Sequence, residues 1–551
     1  MAYPIDALLH PLSEREAVER GLLPPVGAPA QPKPQGDILK TEASGVDVDA
    51  TADYGHAQVL AELLQGRYRW AAHRKCWMEY AGGVWRPIGD ERMNLVASET
   101  LRRHYAGLLA RAAGKEHVMQ LASQVRETCI LARIQGALGF LKGWPGFYTE
   151  AQAWDADPWA LNCQNGVLDL RTGIFRPHRP EDLCTKQANV SYDPKATCPN
   201  WQAHLKRFLP SAEVRRQIQR ALGVALVGAV LEERLDLWHG TGANGKSTTQ
   251  KVLLTVLGNY AGVVAPNLLM ASKYERHPTE LADLSGYRVL FSTETEANRH
   301  LAEALVKQVT GGEPIKARFL YSDFFTFERT FSLTLITNHR PSISGQDLAI
   351  WRRIRLIPWT ETIPPAEQRP QDQVVGELTQ EGPGILNWLL EGLRDWRKEP
   401  HWTAPEVVAA TDAYRLEQDA LGGFLTDCCE LGPRFTVGVS ELYEAYIEWA
   451  GENGEEPIGK RAFGQNLKGR GMGQVVVGHE NRRRWLGLRL KSDSDWQMRA
   501  DASSSSITFA RNGSFRKVSG TSARICSQVS EDALTEDERL YVALAERGDE
   551  P

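Results

Sequence analysis

Residues 237–258 read LWHGTGANGKSTTQKVLLTVLG, in which Gly240, Gly245, Lys246 and Ser247 satisfy the spacing G-x-x-x-x-G-K-[ST]. Glycines at those points let backbone N–H groups come close to phosphate oxygens, and a helix starting at the lysine adds positive potential. The lysine then reaches the β and γ phosphates of a nucleoside triphosphate, and the hydroxyl after it holds Mg²⁺. Gly240, Thr241, Gly242, Ala243, Asn244, Gly245, Lys246, Ser247 and Thr248 are therefore candidate ligands of ATP, with Ser247 also a candidate for the metal. A chance glycine-rich turn is the plain alternative. The alternating RLDLW before the motif and the helical KSTTQKVLLTVLG after it supply the strand-loop-helix context that such a turn lacks.

A triphosphate site that does work also needs carboxylates. GYRVLFSTETEANRHL sets Glu294 and Glu296 just past an apolar strand, and in extended chain they point the same way, about 7 Å apart. One can support Mg²⁺ while the other polarises water, though two solvated glutamates are the dull reading and the roles stay unassigned. TFSLTLITNHRP ends a further strand at Asn338, whose amide can orient water near the γ-phosphate or simply cap a turn. Arg352 and Arg353, in LAIWRRIRLIPW, precede another apolar strand. An arginine there can complete a neighbouring subunit's site, or serve an ordinary salt bridge.

These residues must be positioned by a layered core. Between about 205 and 370, helical patterns alternate with the apolar runs RLDLWH, YRVLFS and FSLTLIT, which predicts a parallel sheet with helices on its faces. Ahead of it, aromatic residues cluster from Tyr54 to Trp85, a long helical pattern spans 92–141, and NCQNGVLDLRTGIFRPHRPED suggests two short strands. After it, 371–420 is helical and 421–491 reads as helices plus a late strand pair. The division expected is a flexible 1–50, an α+β unit at 51–204, the ATPase core at 205–400, a C-terminal unit at 401–491 and a disordered tail at 492–551. PPVGAPAQPKPQG and SSSS mark the two flexible ends.

Over 551 residues the formal charge is only −5, so any nucleic-acid surface must be local. Between Gly459 and Lys491 nine Lys and Arg face one acid, Glu480. Lys460, Arg461 and Lys468 fall on a helix and Arg482, Arg483 and Arg484 between two strands, a pattern that reads as a winged helix meeting duplex phosphates, or as a solvated face. Lys316 and Arg318 lie two apart after a GG turn, so a hairpin would project both from one side toward a strand of DNA. The 8 cysteines form no C-x-x-C pair and no run nears the ~18 apolar residues of a membrane span, which suggests reduced thiols in a cytoplasm. DVDATADYGH, with Asp47, Asp49, Asp53 and His56, is the one pattern that could bind the metals of a primase, and too little chain precedes it for that activity to be expected.

With these motifs together, the chain resembles superfamily 3 helicases, specifically the helicase part of phage and plasmid primase-helicases, related to the poxvirus-type NTPase. The resemblance lies in GTGANGKST (240–248), FSTETEANR (291–299), LVKQVTGGEPIKARFLYSDFFTF (305–327), LITNHRP (335–341) and WRRIRLIPW (351–359). LNCQNGVLDLRTG and ATDAYRLEQDALGGFL extend it, so that it spans roughly 55–490. It implies an α/β fold with an AAA+-like ATPase core, a hexameric ring, ATP and Mg²⁺ as ligands, and movement along single-stranded DNA at forks, in a bacterial host's cytoplasm, with a separate primase or origin-binding protein as a further partner. By motif it gives Lys246 and Ser247 the Walker A roles, Glu294 and Glu296 the Walker B region, Asn338 the sensor role, Arg352 or Arg353 the trans-acting arginine, and Lys316 and Arg318 a DNA-contacting hairpin. Relatives often carry adjacent acids after that strand, where this chain has Ala297 and Asn298. A protein-remodelling or packaging ATPase and an ATP-gated initiator are the alternatives, separable by DNA-stimulated hydrolysis and by strand displacement.

Overall fold

The computed structural model describes residues 53–265, 268–272, 279–294, 299–319, 323–343, 348–454, 457–477 and 482–491. The ends expected to be flexible, with Asp47 and Asp49, lie outside them, as does Glu296.

The centre is a sheet of five parallel strands: β1 (Leu235–His239), β2 (Ala261–Val263), β3 (Val289–Glu294), β4 (Ser332–Thr337) and β5 (Ile354–Pro358). Their order across the sheet is β5, β1, β4, β3, β2, every pair parallel. Strands covered on both faces are apolar along their length, and Leu235, Leu237 and Trp238 of β1 are all buried. The exception is Asp236, paired in register with Arg355 of β5, whose Nε donates to its Oδ1 at 2.7 Å while Nη1 lies 2.9 Å from Glu232. A buried carboxylate inside a strand is tolerated because a guanidinium on the neighbouring strand meets it.

Two hydrophobic clusters flank this sheet. One gathers Trp238, Phe291 and Ile357 with the helices Ala212–Ala225 and Gly382–Lys398, and the other gathers Leu237, Leu290, Leu335 and Leu356 with Tyr414. Trp159, Leu161, Cys163 and Leu168 belong to the first cluster. The short strands Ala160–Cys163, Gly166–Asp169 and Phe175–Arg176 therefore share the core of the central body, while Asn162 Nδ2 also donates to Gly83 O of the α+β unit at 3.0 Å. That unit has its own core, from Ala57 to Phe147. Its long helical pattern divides into Asp90–Leu109, Lys115–Glu127 and Leu131–Lys142, broken where Gly114 takes a positive φ of 93° and where Ile130 is extended.

The helix Pro405–Glu417 lies against β5, so the body runs past residue 400. A further core then begins at Leu421. There the helices Ala420–Cys428, Val439–Glu452 and Lys460–Gly469 pack on a three-stranded antiparallel sheet of Cys429–Gly438, Arg482–Leu490 and Gln474–Val477. The first of these strands was not expected from the sequence, because its burial is irregular along its length. Among the described residues no helix is long and apolar enough to cross a membrane.

Candidate nucleotide-binding site

β1 ends at His239 and the helix α1 (Lys246–Leu257) begins seven residues on, so Gly240 to Gly245 form the loop between them. Two of its glycines are required by space. A Cβ on Gly240 would stand 2.3 Å from the carbonyl of Trp359, and one on Gly245 would stand 2.4 Å from the Phe208 ring, at a φ of 78°. The loop is thereby held tight, with α1 opening directly onto it and its first N–H groups unpaired.

Lys246 is buried, and its ammonium donates to Gly240 O at 2.7 Å, Asn244 Oδ1 at 3.0 Å and Asn338 Oδ1 at 3.2 Å. All three are neutral oxygens. Burial without an anion pushes its pKa down to about 8. Such a charge lacks an anionic partner among the described side chains. Ser247 and Thr241 are exposed on the same loop.

Asn338 follows β4, and β4 lies between β1 and β3. This order explains how a residue 92 positions away meets the loop lysine. Glu294 closes β3 opposite Thr337 of β4, so the backbone sets it at the same carboxyl-terminal edge. The cleft at this edge has a volume of about 390 Å³ and is lined by Gly242 to Thr248, Thr293, Ile336, Thr337 and Asn338.

Its other wall was not read from the sequence. After β5 the chain runs back over the loop: Trp359 N donates to His239 O, Ile363 N donates to Ala243 O at 2.8 Å, and Gln371 Nε2 donates to Thr248 Oγ1 at 3.4 Å. Ile363, Gln368, Arg369 and Gln371 complete the lining. No spacing in PWTETIPPAEQRPQ marks them, since contact with the loop depends on where β5 ends.

Arg352 and Arg353 lie before β5, at the opposite, amino-terminal edge of the sheet. A five-residue parallel strand spans about 16 Å, so neither is placed for its own subunit's cleft. Arg353 is buried, its guanidinium donating to Glu233 Oε2 at 2.7 Å and to Ala349 O at 2.8 Å. Arg352 is 64% exposed and only 3.5 Å from the same carboxylate.

The hairpin Ile315–Ala317 with Phe325–Phe327 emerges ahead of β4. Ile315 and Ala317 are buried and Lys316 is exposed, the alternation expected of a strand with one face covered. Lys316 and Arg318 lie 5.1 and 5.0 Å from the Phe324 ring, and Phe319 stacks on Phe325 with centroids 5.2 Å apart. Phe319 and Phe324 are both exposed. Sequence reasoning quoted this aromatic run without giving it a role.

In the C-terminal unit the basic residues divide. Arg470 pairs with Asp419, Arg489 with Glu430, Arg484 donates to Thr436 O, Lys491 to Thr426 O and Lys460 to Ser440 Oγ. Arg461, Lys468 and Arg483 are exposed or nearly so and make no ion pair among the described residues. Arg482 opens the last strand. Of the metal pattern ahead of the N-terminal unit, Asp53 pairs with Arg133 at 3.3 Å, and His56 is buried with Nδ1 2.9 Å from the Tyr105 hydroxyl.

Comparison with known proteins adds the following. The family described as D5 N terminal like matches residues 57–210, and that described as Poxvirus D5 protein-like matches residues 416–472. "Putative helicase L207/L206" of Acanthamoeba polyphaga mimivirus is 29% identical over 322 residues, covering 54% of this chain and 34% of that protein. "Putative helicase 022R" of Frog virus 3 is 24% identical over 398 residues, 57% of this chain and 41% of that protein. "Putative primase C962R" of African swine fever virus is 25% identical over 332 residues, 55% and 34% of the two chains. This chain thus spans between a third and two fifths of the length of the curated relatives it matches. Among solved structures, the NrS-1 C terminal region is similar over 80% of this chain and 100% of its own, at 10% identity and a TM-score of 0.42.

Proposed function

We propose, from a chain that carries D5-type domains and whose relatives are named for helicase or primase of large DNA viruses, that this protein is the ATP-driven motor of a DNA helicase. The resemblance to superfamily 3 primase-helicases rests on those matches. The observation that carries the reading is the meeting of Lys246 and Asn338 over a glycine-bounded loop, at the carboxyl-terminal edge of a parallel sheet.

On this reading the loop is a phosphate loop and the core is AAA+-like. Backbone N–H groups of the loop and of the first turn of α1 bind the phosphates, and Lys246 exchanges its neutral partners for phosphate oxygens. Ser247 and Glu294 would hold Mg²⁺, which offsets phosphate charge when bound. Asn338, between the lysine and the carboxylate strand, orients water. Arg352, exposed at the far edge of the sheet, is the arginine offered to the neighbouring subunit, and Arg353 is a structural residue of its own subunit. A site that one subunit cannot complete calls for a ring or filament, and the resemblance to superfamily 3 helicases implies a hexameric ring.

The hairpin is the part that would grip a single strand. Lys316 and Arg318 supply charge for phosphates, and Phe319 and Phe324 supply faces for bases. The C-terminal unit, read as a winged helix, would meet duplex at a fork through Arg461, Lys468 and Arg483.

Measuring ATP hydrolysis with and without single-stranded DNA, together with strand displacement on a forked duplex, tests this directly. Stimulated hydrolysis and displacement, both lost in Lys246→Ala, are expected. Hydrolysis indifferent to DNA favours a protein-remodelling ATPase, and DNA binding without displacement favours an initiator. Native mass measurement with ATP reports the ring.

A further inference from the structure

The described lining of the cleft contains two cations, Lys246 and Arg369, and no carboxylate. Lys246 belongs to the loop. Arg369 comes from the strap that follows β5, just before the helix Gln371–Thr379. That strap is anchored to the loop by the Ile363–Ala243 and Gln371–Thr248 hydrogen bonds, and its helix by the Lys251–Asp372 ion pair of 3.1 Å to α1. Arg369 is therefore carried by backbone tied to the loop at Ala243 and, through the neighbouring Gln371, to Thr248 of α1.

Its present partner is Glu377, in the last turn of the helix that follows, and both side chains are about half exposed (49% and 48%). Such a pair is weak, because water screens it and two long side chains must be held still. Glu377 also accepts from Gln373 Nε2 at 3.2 Å, so it keeps a protein partner when the arginine leaves. A guanidinium that leaves its carboxylate for a phosphate exchanges a planar partner for a tetrahedral one that still offers it two oxygens and carries more charge.

We propose that Arg369 is a second phosphate ligand of the nucleotide, supplied in cis by this strap and parked on Glu377 when the cleft is free. Because the strap is tied to the loop that would hold the phosphates, a nucleoside diphosphate already engages Arg369. This rests on the reading of the cleft as the nucleotide site.

Calorimetric titration of ADP with Mg²⁺ into the whole chain tests it, using wild type, Lys246→Ala, Arg369→Ala, Arg369→Lys and Glu377→Gln. Arg369→Ala is expected to weaken ADP about tenfold, the scale of one charge-assisted hydrogen bond. Arg369→Lys recovers part of that loss, and Glu377→Gln binds at least as tightly as wild type. Because Arg369 is half exposed, the melting temperature of Arg369→Ala without nucleotide should match wild type, while its rise on adding ADP shrinks. ADP binding that falls with Lys246→Ala but stays within twofold of wild type in Arg369→Ala overturns the Arg369 assignment alone. ADP binding indifferent to Lys246→Ala overturns the cleft as the site, and the Arg369 assignment with it.

Discussion

The proposed nucleotide cleft and the C-terminal basic unit were both suggested by charge and spacing, yet they are built by different rules. In the cleft, residues from four parts of the chain arrive at one edge of one sheet: the loop, Thr293, Asn338 and the strap after β5. Parallel strands put every carboxyl end on the same side, so a residue that ends a strand is delivered there by topology. In the C-terminal unit the sheet is antiparallel and small, and nothing collects the basic residues. Several are spent on internal partners, Asp419 and Glu430 among them. A local excess of charge thus says less about function than a position at a strand end does.

The comparison breaks first at Lys246. Its replacement by alanine should lower DNA-stimulated ATP hydrolysis at least ~10³-fold, since it removes the cation aimed at the transferring phosphate. Stability should hold, because the lost side chain carried a buried charge opposed only by neutral oxygens. Steady-state hydrolysis read beside thermal unfolding checks both. A variant that fails because it unfolds would mean that the lysine belongs to the architecture of the loop.

The two adjacent arginines offer the next largest effect, and they should part company. Arg352→Ala should keep nucleotide affinity while turnover falls about 10³-fold, as when an arginine finger is removed. Mixing it with Lys246→Ala subunits should restore some hydrolysis, since each supplies what the other lacks. Arg353→Ala should instead cost about 2 kcal/mol of stability, measured by urea unfolding, because Glu233 and the Ala349 carbonyl lose their donor. Equal loss of turnover in both without loss of stability would erase the distinction between them.

How far the sequence reached follows the same division. Gly240, Gly245, Lys246 and Asn338 were legible because each has a type the chemistry demands and sits where a strand stops. The strap was illegible, since Ile363, Arg369 and Gln371 are ordinary residues in a polar segment, and their place depends on β5 running beside β1. Strand β2 was passed over because three residues leave no periodicity to read. The packing of the short strands ahead of 204 was hidden for a related reason. The hairpin strands around Leu161 and Leu168 are apolar enough for either core, and only tertiary packing against Trp201 and Leu205 decides between them. For Arg353, sequence could not tell an offered guanidinium from a buried one; Glu233, which decides it, lies 120 residues away.

The C-terminal unit can be sharpened by splitting its charges. Replacing Arg461, Lys468 and Arg483 with alanine should weaken duplex binding and flatten the slope of log affinity against log salt by about 2 to 3, close to one per released counterion. Replacing Arg470 and Arg489, which are paired internally, should leave that slope nearly unchanged and lower thermal stability instead. Fluorescence titrations at several salt concentrations measure the slopes. Equal slopes in the two variants would mean that internal pairing does not remove a charge from the DNA surface.

The smallest effect concerns protons. In the free protein Lys246 is held down to about 8 by burial, whereas in an unfolded chain it titrates near the ordinary lysine value of 10.5. Between those values the folded state holds fewer protons than the unfolded one, so this group makes the free protein more stable as pH rises from 8 toward 10.5. Phosphate reverses the sign, since an anion beside the ammonium favours its charged form and nucleotide binding above pH 8 must take up a proton. ADP affinity should therefore fall through that range, by about tenfold between pH 7 and pH 9, and calorimetry in two buffers of different ionisation enthalpy should record proton uptake at pH 8.5. Lys246→Met, if it retains measurable affinity, should show neither. An affinity that stays level from pH 7 to 9 in the wild type would mean that the loop lysine already has an anionic partner in the free protein, and the cleft would then lose the unpaired charge that sets it apart from the C-terminal unit.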